Sequence, residues 1–265
     1  MTGDFPPVPA VTAVPSVEGP DGPAYGHDGG KTVGVEVEDV PDISAEWYRE
    51  VVAFAADTPA WVRHAMEIAT DVVPALVVVF LAVGWWRARR EDDRRMALAL
   101  LAPVAVLVPY LASEGIKSLL RLRRPCWDLA GAVTVAPCPP YGDWSLPSNH
   151  ATFAAAGAVA LAVLWRRTAP AAGLLAVAEA FSRVFVGVHY PHDVMAGSLL
   201  GAVTAPLVLL VLRGPAVALV VTLRRRPVLA PVLTTRAGRL RVTRAERGLG
   251  AGPAIPRRKA PPHAR

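Results

Sequence analysis

Two histidines and an aspartate are the residues of this sequence best suited to nucleophilic catalysis. His189 and Asp193 are four residues apart, across a turn formed by Tyr190 and Pro191. A carboxylate that accepts a hydrogen bond from one imidazole nitrogen fixes the tautomer, so the other nitrogen becomes the better nucleophile. The second histidine, His150, has the right chemistry to protonate a leaving oxygen. The pattern predicts group transfer through a histidine nucleophile.

Cationic side chains and a helix start indicate which group would be transferred. Lys117, Arg124 and Arg183 supply fixed positive charge, and the planar donors of a guanidinium suit phosphate oxygens. Residues 148–150 follow Pro147 at a predicted helix start, where free backbone N–H groups and the helix dipole favour an anion. A metal site would need more carboxylates or thiolates. We therefore predict a phosphate pocket that uses no metal and no other cofactor.

Long apolar stretches must position these residues. Apolar side chains make up 53% of the 265 residues, and several stretches reach the roughly 20 residues that cross a hydrocarbon core of about 30 Å. The sequence predicts an all-α, polytopic membrane helical bundle with about five transmembrane helices, at 60–86, 95–120, 147–167, 168–188 and 193–213. A weakly apolar stretch at 214–223 follows them. Residues 44–58 mix aromatic and charged side chains, which predicts an N-terminal interfacial helix.

The two ends of the chain are predicted to be disordered tails around one membrane-embedded domain at 44–223. Residues 1–43 are rich in Pro and Gly, carry eight acidic side chains against Lys31, and have few large apolar side chains. Residues 224–265 are Pro-rich and carry twelve Lys or Arg against Glu246. Such asymmetry fits either a nucleic-acid tail or membrane orientation. The apolar segments between the tails favour orientation, so no nucleic-acid partner is expected.

The arginine positions predict which side of the membrane the candidate residues face. Clusters at 87–95, 166–167 and 224–226 fall on one side of a five-helix arrangement, and cytoplasmic loops carry an excess of Lys and Arg. The loop at 121–147 and the turn at 188–193 then lie outside, and every candidate residue lies at the outer end of its helix. Ionisable groups at membrane depth are costly, so their convergence there predicts a functional site.

The predicted outer loop contains two cysteines and two further arginines. Cys126 and Cys138 would form a disulfide in an oxidising compartment, worth about 3 kcal/mol in the chain-entropy model, or would be two unrelated thiols. We predict the disulfide. Arg121 and Arg123 depart from the charge rule for an outer loop, and would either meet lipid headgroups or assist the pocket.

Three spaced motifs contain the candidate residues. They are Lys117 with Arg124 and Pro125; Pro147, Ser148, Asn149 and His150; and Ser182 and Arg183 with His189 and Asp193. In this order, over 117–193, they resemble the signature of the type 2 phosphatidic acid phosphatase superfamily, and the helical pattern extends the resemblance to about 44–213. The family usually has Gly where Asn149 stands here. Asn tolerates positive φ, so we expect the turn to survive, with its side chain narrowing the pocket.

The resemblance implies a covalent phosphohistidine intermediate that forms without a metal. His189 corresponds to the nucleophile, Asp193 to its orienting partner and His150 to the general acid. The positions that correspond to phosphate ligands are Lys117, Arg124, Ser148, Asn149 and Arg183. From the residues alone, Glu179 is expected to pair with Arg183, four residues later on a predicted helix.

The resemblance further implies a phosphatase in a bacterial plasma membrane, with its active site on the extracytoplasmic face and its C terminus in the cytoplasm. The expected substrate is a polyprenyl diphosphate, undecaprenyl or decaprenyl. Phosphatidic acid, phosphatidylglycerol phosphate and a phosphorylated prenyl sugar are alternatives. The expected partners are this lipid and the bilayer, and the oligomeric state stays open.

Two other functional classes are alternatives to a phosphatase. One has a similar oxyanion pocket, and the other has no catalytic activity. A vanadate-dependent haloperoxidase is disfavoured by the spanning helices, because those enzymes are soluble. A catalytically silent lipid-binding protein is disfavoured by the presence of His150, His189 and Asp193 together.

Overall fold

The computed structural model describes residues 41–128 and 134–234, and within them the chain is helical, with no strand. In chain order the helices are α1 (Asp42–Asp57), α2 (Ala60–Ala88), α3 (Asp93–Leu120), α4 (Pro125–Asp128), α5 (Asn149–Leu164), α6 (Ala169–Phe185), α7 (Pro191–Arg224) and α8 (Ala230–Leu233). A 3₁₀ turn, Arg166–Thr168, joins α5 to α6. The all-α prediction is confirmed. Most of the two predicted tails, 1–40 and 235–265, lies outside the described residues.

Helix length bears directly on the predicted spans. α2, α3 and α7 have 29, 28 and 34 residues, and each is long and apolar enough to cross a membrane. α5 and α6 have 16 and 17 residues. At 1.5 Å per residue they are about 25 Å long, shorter than a hydrocarbon core of about 30 Å. The count of five spans therefore stays a prediction.

The last long helix and the segment after it differ from what the sequence predicts. α7 continues through 214–223 to Arg224, because side chains such as Val220 pack into the buried core there. Arg224 donates to Asp93 Oδ1 at 2.6 Å and to the carbonyl of Leu233 at 3.0 Å. The chain as far as α8 is thus held against the start of α3, and the predicted C-terminal tail cannot begin at residue 224.

Small side chains let α3, α5 and α7 approach one another closely. The buried alanines of this core are Ala97, Ala99, Ala102 and Ala105 on α3, Ala156 and Ala160 on α5, and Ala205 on α7. Small residues are favoured where helices pack within a membrane. A Cβ at Gly197 would lie 2.4 Å from the carbonyl oxygen of Ser148, and one at Gly201 would lie 2.3 Å from that of Thr152. Glycine at these positions allows the start of α5 to lie directly against α7.

The first helix packs against the loop between α6 and α7. The hydroxyl of Tyr48 donates to the carbonyl of Gly187 at 2.9 Å, and Ser44 Oγ lies 2.7 Å from His192 Nδ1. Other side chains of α1 are apolar and exposed, such as Phe54, which is 60% exposed. A helix with one packed face and exposed apolar side chains agrees with the predicted interfacial helix at 44–58.

Candidate active site

Most of the predicted site residues meet in one cavity at the end of the bundle. The cavity is about 590 Å³ in volume. Six predicted residues line it: Lys117, Arg124, Asn149, His150, Arg183 and His189. Its other lining residues are Pro74, Tyr110, Glu114, Pro139, Asp143 and Phe153. Ser148 and Asp193 do not line it, because both side chains are fully buried.

His189 is held so that one ring nitrogen is unprotonated. Its Nε2 is 3.0 Å from Nη1 of Arg124, and its Nδ1 is 3.4 Å from Asp193 Oδ2. A guanidinium only donates hydrogen bonds, so Nε2 must be the acceptor and Nδ1 must carry the proton. Burial lowers the pKa of the His189 imidazole to about 3; the hydrogen bond to Asp193 opposes this shift, and the charge of Arg124 adds to it. The ring is neutral at neutral pH, as a nucleophile must be.

Asp193 is fixed by donors that the sequence did not single out. Its Oδ2 accepts from Ser145 Oγ at 2.5 Å and from the backbone N–H of Tyr190 at 2.8 Å. It lies in the first turn of α7, where the helix dipole favours a carboxylate. Ser145 Oγ is also 3.3 Å from Nδ1 of His189. Ser145 therefore bridges the two predicted catalytic partners, although it lies 48 positions before Asp193.

The cations Lys117 and Arg124 share an acidic partner in the loop between α4 and α5. Asp143 Oδ1 lies 2.9 Å from Nη2 of Arg124 and 3.4 Å from Nζ of Lys117. Arg124 also donates through Nε to the carbonyl of Asp143 at 2.6 Å and through Nη1 to that of Val188 at 3.0 Å. Burial alone would raise the pKa of the Asp143 carboxyl, but Arg124 and Lys117 outweigh it and lower the pKa. Asp143 is thus a carboxylate inside the predicted phosphate pocket.

Arg183 faces the cavity without the partner that the sequence predicts. The charged atoms of Arg183 and Glu179 form no ion pair, and neither carboxylate oxygen of Glu179 has a hydrogen-bond partner among the described residues. The predicted pair is wrong, because Glu179 is 1% exposed inside the bundle whereas Arg183 turns to the cavity. The guanidinium of Arg183 is therefore available to an anion.

The start of α5 differs in detail from the expected anion site. The backbone N–H of Ser148 donates to the carbonyl of Asp193 at 3.0 Å. Asn149 has a helical φ, so no positive φ is needed at this position. Its Oδ1 accepts from Ser113 Oγ at 2.7 Å, and its Nδ2 donates to Glu114 Oε1. Two α3 side chains therefore hold the amide at one wall of the cavity.

An apolar groove continues from this cavity along the bundle. It is about 660 Å³ in volume and is lined by α2, α3 and Phe153 of α5. Tyr110 and Phe153 line both the polar cavity and the groove. On α3 the groove runs from Tyr110 back to Ala99, about 16 Å at 1.5 Å per residue. A molecule with a polar head and a long apolar chain has the shape of the combined space.

The loop after α3 is cross-linked, as the sequence predicts. Cys126 and Cys138 form a disulfide with their Cα atoms 5.9 Å apart. Arg123 pairs with Asp128 at 2.8 Å and does not line the cavity, so it does not assist the pocket. Arg121 is exposed at the C-terminal cap of α3 with φ of 52°.

Known proteins share both sequence and fold with this chain. The model of the PAP2 superfamily matches residues 97–214. An undecaprenyl-diphosphatase of Sulfolobus acidocaldarius is 33% identical over 141 residues, which are 53% of this chain and 62% of that protein. The putative undecaprenyl-diphosphatase YbjG of Escherichia coli is 31% identical over 150 residues, which are 56% of this chain and 72% of that protein. The chain thus spans less than two thirds of the first relative and more than two thirds of the second.

A crystal structure shows the same fold. It is that of the first transmembrane PAP2 type phosphatidylglycerolphosphate phosphatase from Bacillus subtilis. The two folds match with a TM-score of 0.50 at 23% sequence identity, over 66% of this chain and 86% of that one.

Proposed function

Because this chain belongs to the PAP2 superfamily, we propose that it is a membrane lipid phosphatase that hydrolyses a polyprenyl diphosphate through a phosphohistidine intermediate. The observation that carries the proposal is the state of His189. Its Nε2 keeps an electron pair because Arg124 can only donate to it, and the ring lines a cavity that Lys117 and Arg183 also line. A neutral nucleophile among three cations is suited to attack on a phosphate.

In the first step, the hydrogen bond from Nη1 of Arg124 to Nε2 of His189 opens. Nε2 then attacks the terminal phosphorus, and the bond from phosphorus to the leaving oxygen breaks. His150, which the negative charge of a bound phosphate keeps protonated, gives its proton to that oxygen. The Nδ1 proton stays directed at Asp193, whose carboxylate stabilises the positive charge that develops on the ring. Lys117, Arg124 and Arg183 line the cavity, where their positive charges would stabilise negative charge on the phosphoryl oxygens.

In the second step, a water molecule attacks the phosphorus of the phosphohistidine. His150, now neutral, accepts the proton of this water, and the bond from Nε2 to phosphorus breaks. Inorganic phosphate leaves, His189 is neutral again, and His150 is again protonated. One water and one phosphoanhydride bond are consumed in the cycle. The donor set of the cavity is mainly cationic, which favours this route over one that recruits a metal ion.

The apolar part of the substrate has a defined place in the proposal. The groove between α2 and α3 opens from the phosphate cavity at Tyr110 and Phe153, so a chain attached to a bound phosphate can enter it directly. The two relatives above are named as undecaprenyl-diphosphatases, which supports a polyprenyl chain. Phosphatidic acid, phosphatidylglycerol phosphate and a phosphorylated prenyl sugar remain the alternative substrates.

Two features support an active site on the extracytoplasmic face. The disulfide between Cys126 and Cys138 lies in the loop that supplies Arg124 to the cavity, and disulfides persist in oxidising compartments. The arginine clusters at 87–95 and 224–226 lie at the opposite ends of the helices. An excess of arginine is typical of the cytoplasmic side.

The test is phosphate release from a long-chain polyprenyl diphosphate in detergent, with and without EDTA. We expect equal rates in both, and loss of release in His189→Ala. The matched control is His64→Ala, because the side chain of His64 is 76% exposed and lies outside the cavity. Release that EDTA abolishes, or that survives in His189→Ala, would contradict the mechanism.

A panel of substrates separates the remaining possibilities. Release from phosphatidic acid or phosphatidylglycerol phosphate, but not from the diphosphate, would support the mechanism and contradict the proposed substrate. No release from any of them favours a silent lipid-binding protein. Halide oxidation after addition of vanadate would indicate the haloperoxidase class.

A further inference from the structure

A carboxylate lies where a phosphate oxygen is expected to bind. Asp143 Oδ1 contacts both Arg124 and Lys117, at 2.9 Å and 3.4 Å. A charge-assisted hydrogen bond from a guanidinium to a phosphate oxygen has about the same length, 2.7–2.9 Å. Neither the motifs nor the proposed mechanism gives this side chain a role.

The donors of Arg124 leave little choice about where an incoming anion can bind. Its Nε is bonded to the carbonyl of Asp143, and its Nη1 is bonded to the carbonyl of Val188 and to His189. The remaining terminal nitrogen, Nη2, is the one that the Asp143 carboxylate contacts. Nη2 has two N–H groups, and the carboxylate takes one of them. A phosphate that takes both N–H groups displaces the carboxylate, and a phosphate that takes only the free one lies beside its negative charge.

The three side chains also differ in how freely they can move. Lys117 and Arg124 are only 4% and 2% exposed, so both are fixed by the surrounding bundle. The side chain of Asp143 is 47% exposed and lies in a loop. Its carboxylate can turn into water when an incoming anion takes its place beside the two buried cations, whereas neither cation can follow it.

We propose that Asp143 competes with incoming anions for Lys117 and Arg124, and so sets how strongly an anion must bind to occupy the site. It weakens the binding of every anion by a similar factor. A terminal phosphate carries a charge of about −1.5 to −2 at neutral pH and retains enough attraction to displace the carboxylate. A phosphodiester headgroup, with a single charge, does not. The site thereby stays accessible in a leaflet rich in anionic phospholipid. The inference rests on the proposed function only in taking the cavity to bind phosphate.

The test compares Asp143→Asn with wild type in two binding measurements on the full chain. The first is binding of inorganic phosphate by titration calorimetry in detergent with EDTA. The second is competition by short-chain phosphatidylglycerol against that binding. Removal of one hydrogen bond between charged groups, worth about 1.5–3 kcal/mol, corresponds to an affinity increase of about tenfold or more for both ligands.

Two further variants make the result specific to this carboxylate. Asp128→Asn removes a negative charge from the same outer loop but pairs with Arg123 outside the cavity, so its phosphate affinity should equal that of wild type. Asp143→Glu retains a carboxylate and should keep the weaker binding. Thermal unfolding of each variant checks that the fold is intact.

Unchanged or weaker phosphate binding in Asp143→Asn would overturn the proposal, and Asp143 would then serve to hold Arg124 in place. Both measurements record binding and need no turnover. Tighter phosphate binding in a chain that hydrolyses none of the lipids would therefore support the role of Asp143 while overturning the proposed phosphatase function.

Discussion

The close contact between α7 and the start of α5 gives a quantitative prediction for Gly197→Ala. An added Cβ would lie 2.4 Å from the carbonyl oxygen of Ser148, whereas ordinary contacts begin at 3.4 Å. The two helices must therefore separate by about 1 Å, and such overpacking costs about 1–3 kcal/mol. The same shift moves Asp193 on α7 relative to His150 on α5. A misplacement of about 1 Å can lower a catalytic rate by about 100-fold.

The assay combines thermal unfolding in detergent with phosphate release from a polyprenyl diphosphate. Gly214→Ala is the matched control, because Gly214 lies on the same helix and an added Cβ there meets nothing within 4 Å. Alanine is the better helix former by about 1 kcal/mol, so the control should be as stable as wild type or more stable. Wild-type stability and activity in Gly197→Ala would refute the reasoning.

Three other perturbations should each affect one part of the molecule. Reduction of the Cys126–Cys138 disulfide should lower the free energy of unfolding by about 3 kcal/mol, measured with and without reductant; an unchanged midpoint would contradict this. Ala82→Trp fills the apolar groove and should raise KM for a long-chain diphosphate at least tenfold, but not KM for a short-chain one. Val83→Trp, on the same helix but outside the groove, should change neither KM value. His189 takes up a proton near pH 6.5 in the unfolded chain and near pH 3 in the folded chain. The free energy of unfolding should therefore fall as pH drops from about 6.5 to about 3, and the fall should be smaller in a His189→Phe variant.

The sequence predicts the residues whose type is unusual for their surroundings. Lys117, His150 and Arg183 are polar groups at the ends of apolar helices, and the cost of placing them there points to a site. Short-range spacing also places Asp193 close to His189, because only the turn at Tyr190 and Pro191 and one further residue separate them. These predictions need only local geometry and the order of the helices.

The residues that the sequence did not indicate depend on contacts between distant segments. Ser145 meets Asp193 across 48 positions, and Asp143 meets Arg124 across 19. Serine and aspartate are common in loops, so neither type stands out there. The end of α7 was missed for a similar reason. The weak apolar pattern at 214–223 forms helix because the rest of the bundle provides a surface for it to pack on.

The packing of α1 has a consequence for how the protein responds to its surroundings. Ser44 and Tyr48 hold the segment that carries His189 from one side, through His192 and Gly187. The exposed apolar side chains of α1, such as Phe54, need a lipid or detergent surface to cover them. The position of the nucleophile is thereby coupled to the boundary between bilayer and water. A change in that boundary, such as a thinner bilayer or a poorly matched detergent, would shift the position of the His189 ring through its effect on α1.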